Sequence, residues 1–190
     1  MLVLASSSPY RRTLLERLRL PFEVAVPNVD ERPLTGESPC ATALRLAQMK
    51  AGAVASSRAG DLVIGCDQVA TVGGAAVGKP GTREAALAQL RALRGRTVEF
   101  HTAVCLLDTS CGASEVQNVP TTVQFRDFTD QQAERYLDLE QPYDCAGSAK
   151  IEALGIALVE RVVSTDPSAL IGLPLIALVT MLKRTGIEVL

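Results

Sequence analysis

The chain opens with a strand signal that passes directly into a helix signal, and this order is the strongest constraint on its fold. Residues 2–5 form a short apolar run of the kind that lies buried in a sheet. Ser8 is a good N-cap residue, and Pro9 suits the first helical position, where its missing N–H has no partner to lose. A strand followed at once by a helix is typical of an α/β protein.

Strand and helix signals continue to alternate along the rest of the chain. Further strands are predicted over 22–26, 61–65, 69–72, 75–77, 97–107, 116–126 and 156–162. Further helices are predicted from Ser38-Pro39 onward and over 82–94, 129–139 and 173–184. The pattern predicts an α/β fold with a mixed sheet, and 190 residues are enough for one domain, or for two lobes around a cleft.

Composition narrows the classes of partner. Hydrophobic residues make up 47% of the chain and charged residues 21%, which is typical of a globular protein. The formal net charge is -2, aromatic residues are 4%, and tryptophan is absent, so neither nucleic acid nor an anionic membrane surface is a favoured partner. The longest apolar run, near residues 171–181, is broken by Gly172 and Pro174 and is too short to span a bilayer.

The cysteines indicate a reducing compartment. All five are scattered along the chain, their number is odd, and no C-x-x-C pair is present. The first residues lack the basic leader that a secretory signal has. We therefore expect reduced thiols in a cytoplasmic protein.

Two arginines stand in the first turn of the first helix, where the helix dipole is positive. Arg11 and Arg12 follow Ser8-Pro9 directly, so cations and unfilled backbone N–H groups are predicted to share one place. An anion with several oxygens, such as a polyphosphate, would relieve this repulsion. The alternative is an ordinary Ser-Pro helix start with surface arginines, which explains Ser8 and Pro9 but not two cations against the dipole.

Carboxylates mark the ends of two predicted strands. Asp67 comes just after the apolar run 61–65, which predicts a place at the carboxyl end of a strand, where ligands bind in open α/β sheets. Asp30 and Glu31 follow another strand, and with Asp67 they could hold a hard cation such as Mg²⁺. The alternatives are a loop cap at Asp67 and a solvated turn at Asp30-Glu31.

The segment 73–80 has most of a Walker A motif but lacks its last residue. Pro80 replaces the Ser or Thr that ligates Mg²⁺ and removes a backbone N–H, so a P-loop ATPase or GTPase is excluded. Lys79 and Lys50 remain candidate phosphate ligands, although a single lysine is usually a solvated surface charge. His101 is the only histidine, lies within a predicted strand, and is assigned a structural role.

The motifs together resemble those of the Maf family of nucleoside triphosphate pyrophosphatases. The resemblance runs along the whole chain and rests on five segments: Leu4-Ala5-Ser6-Ser7-Ser8-Pro9-Tyr10-Arg11-Arg12, Val29-Asp30-Glu31, Ile64-Gly65-Cys66-Asp67-Gln68-Val69, Gly78-Lys79-Pro80 and Cys145-Ala146-Gly147-Ser148. It implies one domain over residues 1–190, with a two-lobed α/β fold around a deep cleft related to that of the inosine triphosphate pyrophosphatases. It also implies a homodimer.

The resemblance further implies cleavage of a nucleoside triphosphate to the monophosphate and pyrophosphate with a divalent cation, Mg²⁺, Mn²⁺ or a similar ion. Asp67 would be the catalytic base or a metal-organising carboxylate, and Glu31 would assist at the metal. The residues that would hold the triphosphate are Ser7, Arg11, Arg12, Lys50 and Lys79.

One position points to a subgroup of this family. Gln68 follows Asp67 where many members carry Thr, and this resembles the subgroup that hydrolyses 7-methyl-GTP. A 7-methylated guanine is positively charged, so Tyr10 would add a cation–π contact, although close relatives have Trp there. Glu152 would accept from the guanine N–H edge, and Gln68 offers a donor and an acceptor. The alternatives are a dTTP/UTP pyrophosphatase and a noncatalytic nucleotide-binding regulator of septum formation.

Overall fold

A single mixed sheet of seven strands runs through the protein, whose computed structural model describes residues 1–190. The strands are β1 (Leu2–Ala5), β2 (Phe22–Ala25), β3 (Leu62–Val72), β4 (Ala75–Val77), β5 (Thr97–Asp108), β6 (Ser114–Phe125) and β7 (Val159–Ser164). Their order is β2-β1-β3-β5-β6-β7, and β4 pairs with β3. β1 is parallel to β2 and β3, whereas the β3–β4 and β6–β7 pairs are antiparallel.

Five α-helices accompany the sheet, and the predicted α/β class is confirmed. They are α1 (Pro9–Glu16), α2 (Pro39–Ala55), α3 (Arg83–Leu93), α4 (Asp130–Glu140) and α5 (Leu175–Arg184). Ser8 and Ser38 cap α1 and α2 by accepting backbone N–H groups from the first turn, as their Ser-Pro signals predict. Thr129 forms a capping box with Gln132 at the start of α4, where the sequence predicts a helix.

The structure differs from the sequence prediction most in β3. We expected this strand to end at Gly65, with Asp67 in the loop after it, and that expectation is wrong. β1 pairs with the first part of β3 as far as the Ala5–Gly65 match, and β3 then continues to its hairpin with β4. No proline interrupts residues 62–72, so the strand is free to run on. Asp67 is a strand residue beyond the end of β1.

Two other predicted boundaries are also wrong. Residues 154–158 form a 3-10 helix rather than the start of a strand, because the chain turns tightly at Gly155, whose N–H donates to the Lys150 carbonyl at 2.9 Å. The last helix begins at Leu175 rather than Leu173, since the residue before Pro174 is disfavoured in the helical conformation.

The chain divides into two compact units. The first comprises Met1–Gln68, His101–Val119 and Asp166–Leu190, and its apolar core is centred on Leu4, Leu14, Leu15, Ile64 and Leu178. The second comprises Val69–Phe100 and Pro120–Thr165 and contains the edge-to-face contact of Phe125 with Phe128. The single domain over 1–190 stays a prediction. None of the helices has the length and apolar character needed to cross a membrane.

Candidate active site

The candidate site of the first unit is centred on a buried ion pair. The Lys50 ammonium nitrogen, on α2, lies 2.6 Å from Oδ1 of Asp67, on β3. Both side chains are buried, with exposed fractions of 6% for Lys50 and 8% for Asp67. A buried charge is stable in a protein only when it is paired, and here each charge has the other as its partner.

Gly65 explains why α2 comes close enough to form this pair. A Cβ atom at Gly65 would lie 2.0 Å from the Ala47 carbonyl oxygen and 2.7 Å from the Ala51 nitrogen, so the helix backbone packs directly on the strand. Lys50 is one helical turn beyond Ala47, and Asp67 is two residues beyond Gly65 on the same strand. An isolated glycine in an apolar strand signals such a close approach, and this signal was present in the sequence.

Glu31 completes the charged cluster. Its Oε1 lies 2.9 Å from the Lys50 nitrogen, although 60% of the Glu31 side chain is exposed. A single ammonium group therefore pairs with two carboxylates, one deep in the fold and one at the surface. The neighbouring Asp30 is not part of this cluster because it pairs with Arg32 in its own loop.

The protonation of Asp67 is set by competing effects. Burial raises the pKa of its carboxyl group and is the strongest influence, while Lys50 and Arg11 act in the opposite direction and Glu31 adds to the rise. The net result is a pKa above the ordinary value. A buried carboxyl group with a raised pKa beside a specific cation is typical of a functional site.

The two first-turn arginines of α1 have separate protein partners. Arg11 donates through Nε to the carbonyl oxygen of Gly172 at 3.0 Å, and the Cys66 thiol donates to the same oxygen at 2.8 Å. Arg12 instead pairs with Glu16 at 3.0 Å on the exposed face of α1. The Arg12 charge is thus paired with a carboxylate and Arg11 with a backbone carbonyl, and the binding of an anion by these two arginines stays a prediction.

The serines before α1 have different roles. Ser6 is buried and its hydroxyl accepts from the backbone N–H of Ser8, whereas the Ser8 hydroxyl caps the helix. Ser7 is exposed, which leaves it as the candidate ligand for a phosphate. Tyr10, in the first turn of α1, is half-buried.

Gln68 holds a nearby segment of the first unit. Its Nε2 donates to the Thr102 hydroxyl at 2.9 Å and to the backbone carbonyls of Ala169 and Leu170 at 3.0 and 3.1 Å. These carbonyls belong to the 3-10 helix Ala169–Ile171, which leads to Gly172. The amide donors are thus engaged with protein, and only the side-chain oxygen of Gln68 is left to recognise a base. Sequence reasoning missed this anchoring role.

Two predicted site residues lie in the second unit. Lys79 is exposed in the loop after β4. Glu152 is exposed in a turn whose first residue, Lys150, donates its backbone N–H to the Tyr136 hydroxyl at 2.9 Å. A Cβ atom at Gly155 would lie 2.5 Å from the Lys150 carbonyl oxygen, so the turn that carries Glu152 is tightly closed.

The acidic residues of the cluster suit one kind of metal. No group of three or more His, Cys, Asp or Glu side chains is arranged to hold an ion. Asp67 and Glu31 nevertheless offer two carboxylates that contact one cation, the Lys50 ammonium group. Mg²⁺ commonly binds one or two carboxylates and completes its shell with water and substrate phosphates, so this donor set fits an ion that is shared with a nucleotide.

The cysteines and the histidine are not arranged as a catalytic thiol and base. None of the five cysteines forms a disulfide, and burial raises the pKa of the Cys66 thiol to about 11, so this thiol is not ionised at neutral pH. The His101 Nδ1 lies 3.4 Å from the Asn118 amide nitrogen within the paired strands. These contacts agree with the structural roles expected from the sequence.

Comparison with known proteins gives the family. The model of the family described as Maf-like protein matches residues 1–185. The chain belongs to the Maf family, as its motifs predicted.

Several relatives are similar to the chain over nearly all of its length, and each is named 7-methyl-GTP pyrophosphatase. The protein of Cupriavidus metallidurans is 60% identical over 97% of this chain and 93% of its own length. The proteins of Ralstonia nicotianae and Thiobacillus denitrificans are 63% and 59% identical, over 96% and 100% of this chain and 94% of their own lengths. Among solved structures, the Staphylococcus aureus Ham1 protein matches 66% of this chain and 72% of its own chain at 18% identity and a TM-score of 0.48.

Proposed function

We propose that this protein hydrolyses 7-methyl-GTP to the monophosphate and pyrophosphate with the help of a divalent cation. The observation that carries the chemistry is the buried Asp67, whose pKa is raised by burial and which Lys50 holds beside Glu31. The observation that carries the substrate is the printed name of relatives that are about 60% identical over nearly the whole chain.

Asp67 is the proposed catalytic residue. Its pKa lies above that of an ordinary aspartate, so its carboxylate is a stronger base. It is therefore a better acceptor for the proton of the attacking water. Asp67 and Glu31 would hold the divalent cation, which when bound would neutralise charge on the phosphates and orient the water.

The cationic residues are proposed to bind the triphosphate. The Gly172 carbonyl accepts from Nε of Arg11, and the two terminal nitrogens of the guanidinium group are further donors that would bind phosphate oxygens. Arg12 would exchange its exposed pair with Glu16 for a phosphate at small cost, because surface ion pairs are weak. Ser7 and Lys79, both exposed, would complete the set.

Base recognition is proposed for Tyr10, Gln68 and Glu152. The positive charge of 7-methylguanine favours the face of Tyr10 and the carboxylate of Glu152. Gln68 would contribute through its side-chain oxygen, since its amide nitrogen already donates to Thr102 and to two backbone carbonyls.

A turnover assay with four nucleotides tests the substrate. Pyrophosphate release from 7-methyl-GTP, GTP, UTP and dTTP is measured with Mg²⁺ and with a chelator. We expect the highest kcat/KM for 7-methyl-GTP and no release with the chelator. A preference for UTP and dTTP would contradict the proposed substrate, and binding without release of pyrophosphate from any nucleotide would indicate a noncatalytic regulator.

A single substitution sharpens the assay. Glu152→Gln keeps the shape of the side chain but removes the charge that faces the methylated base. We expect the preference for 7-methyl-GTP over GTP to fall by roughly tenfold, as for the loss of one charge-assisted contact, while kcat/KM for GTP stays within a factor of about two. An unchanged preference would remove Glu152 from base recognition.

The cysteines indicate the cellular compartment. Five cysteines without a disulfide are suited to the reducing cytoplasm, which is the proposed location of the protein. The homodimer implied by the family resemblance also stays a proposal, which light scattering would test.

A further inference from the structure

The Lys50 ammonium group occupies the place that the proposed function gives to the metal. It lies 2.6 Å from an oxygen of Asp67 and 2.9 Å from an oxygen of Glu31, the two carboxylates that would ligate the ion. It is also nearly inaccessible, with only 6% of the side chain exposed. The free protein therefore carries its own cation between these carboxylates.

An ammonium group and a divalent cation cannot share this place. Both are positive, and their repulsion is weakly screened where water is largely excluded. The ammonium group must therefore move before an ion can take both carboxylates. Once displaced, it needs another anionic partner, because an unpaired buried charge is strongly unfavourable.

We propose that Lys50 is a built-in competitor of the metal and that it leaves the carboxylates only when the triphosphate supplies a new partner. This inference rests on the proposed function and adds to it the order in which metal and nucleotide can bind. Metal and nucleotide bind as a coupled pair, and each raises the affinity of the protein for the other. In the absence of nucleotide, the protein excludes divalent cations from its own catalytic carboxylates.

The surroundings of Lys50 allow the exchange. Its backbone is fixed, because α2 packs on β3 at Gly65, but its side chain is a flexible four-carbon stem with a rotatable charged end. Glu31 is the exposed side of the cluster, with 60% of its side chain open to solvent, so ions and phosphates have access from this side. Asp67, at the buried end, stays in the strand throughout.

Binding of Mn²⁺ in the absence of nucleotide tests the competition directly. Affinity is measured by calorimetry and by the electron paramagnetic resonance of free Mn²⁺. Lys50→Met removes the competing charge, and we expect it to bind Mn²⁺ roughly tenfold or more tightly than the wild type, within the usual range of coupling between two sites. Lys183→Met, the same change at an exposed position of α5, is the matched control and should leave the affinity unchanged. Equal Mn²⁺ affinity of Lys50→Met and wild type would overturn the proposal.

Thermal unfolding provides a second readout of the same variant. Lys50→Met leaves the buried Asp67 without its cationic partner, so we expect the variant to have a lower melting temperature than the wild type. Mn²⁺ should restore much of this loss, because it replaces the missing positive charge. The wild type should gain little from Mn²⁺ alone. A Mn²⁺-induced rise that is the same in both proteins would contradict the competition.

The competition can also be tested on the wild type if Lys50→Met does not fold. Nuclear magnetic resonance of isotope-labelled lysine side chains follows Lys50 directly, with its signal assigned through Lys50→Arg. Mg²⁺ alone should leave the Lys50 signal unchanged. Mg²⁺ together with a nucleotide analogue should shift it; the analogue is 7-methyl-GTP with a methylene bridge between its α and β phosphorus atoms. A full shift with Mg²⁺ alone would overturn the proposal.

The two proposals fail in different ways. If Mn²⁺ affinity and the Lys50 signal behave as expected but no nucleotide releases pyrophosphate, the competition stands and the proposed function is wrong. If pyrophosphate is released but Mn²⁺ binds equally well with and without Lys50, the function stands and the competition is wrong.

Discussion

Helix α2 carries two cation–carboxylate pairs that are equally short, yet the pKa values of their two carboxyl groups are shifted in opposite directions. Near its start, Arg45 contacts Glu37 at 2.6 Å, and further along Lys50 contacts Asp67 at 2.6 Å. The pKa of Glu37 is lowered to about 2, mainly by its hydrogen bonds with Arg45. The pKa of Asp67 is raised, because burial outweighs the effect of Lys50.

The number of donors and the depth of the site account for this difference. Glu37 accepts from two nitrogens of Arg45, from the Leu34 backbone N–H and from the Thr42 hydroxyl. Asp67 lies within the sheet and depends on a single ammonium group. A short ion pair therefore does not reveal by itself which form of the acid is favoured. The Glu37 pair fixes the start of a helix, whereas the Asp67 pair holds a buried carboxyl group whose pKa is raised.

The most severe test of this contrast is Asp67→Asn. The amide has the same shape but cannot accept the proton, so we expect pyrophosphate release to fall by about a thousandfold, within the range for loss of a general base. Glu37→Gln is the matched control at the other pair and should retain activity. Circular dichroism of both variants checks the fold. Turnover of Asp67→Asn near that of the wild type would remove Asp67 from catalysis.

Gly65→Ala should separate α2 from β3 and so break only the deep pair. The new Cβ would lie 2.0 Å from the Ala47 carbonyl oxygen, which is backbone and cannot move aside easily. We expect the free energy of unfolding to fall by about 3 kcal/mol, at the upper end of overpacking costs, measured by urea denaturation.

Gly52→Ala is the control for this substitution because it introduces the same methyl group in α2 itself. A Cβ atom at Gly52 would contact nothing within 4 Å. Since alanine favours the helix interior over glycine, we expect a gain of about 1 kcal/mol. A loss of stability as large as that of Gly65→Ala would contradict the close approach of helix and strand.

The smallest expected effect belongs to the Arg45–Glu37 pair. A carboxyl group whose pKa is lowered by folding stabilises the protein above its unfolded pKa, and this contribution is lost as the pH falls. For Glu37 the loss should run from the ordinary value of 4.5 down to about 2. Glu37→Gln should therefore have a melting temperature that depends less on pH across this range than that of the wild type. Parallel pH profiles would show that Glu37 contributes nothing.

Local signals in the sequence predicted local structure well. Ser8, Ser38 and Thr129 each begin a helix as expected, because the capping hydroxyl and its backbone partner are only a few residues apart. The course of β3 through Asp67 was not predicted, since the strand is extended by partners that lie elsewhere in the chain.

The candidate site shows the same division. The motifs identified Asp67, Glu31 and Lys50 as separate candidates, but their shared contact depends on α2 packing over β3; Gly65 signals a close approach to the strand without saying which element makes it. The roles of Gln68 and of Gly172 also depend on contacts between residues far apart in the chain. A contact of this kind has no local signature, because either residue alone has an ordinary neighbourhood.

The carbonyl of Gly172 has a consequence for how the protein is made. It orients the side chain of Arg11, which precedes it by 161 residues, so this side chain depends on a segment that is synthesised much later. During synthesis on the ribosome, Arg11 has no partner until Gly172 has left the exit tunnel. A nascent chain therefore cannot hold Arg11 at this carbonyl until residue 172 has been synthesised and has left the ribosome.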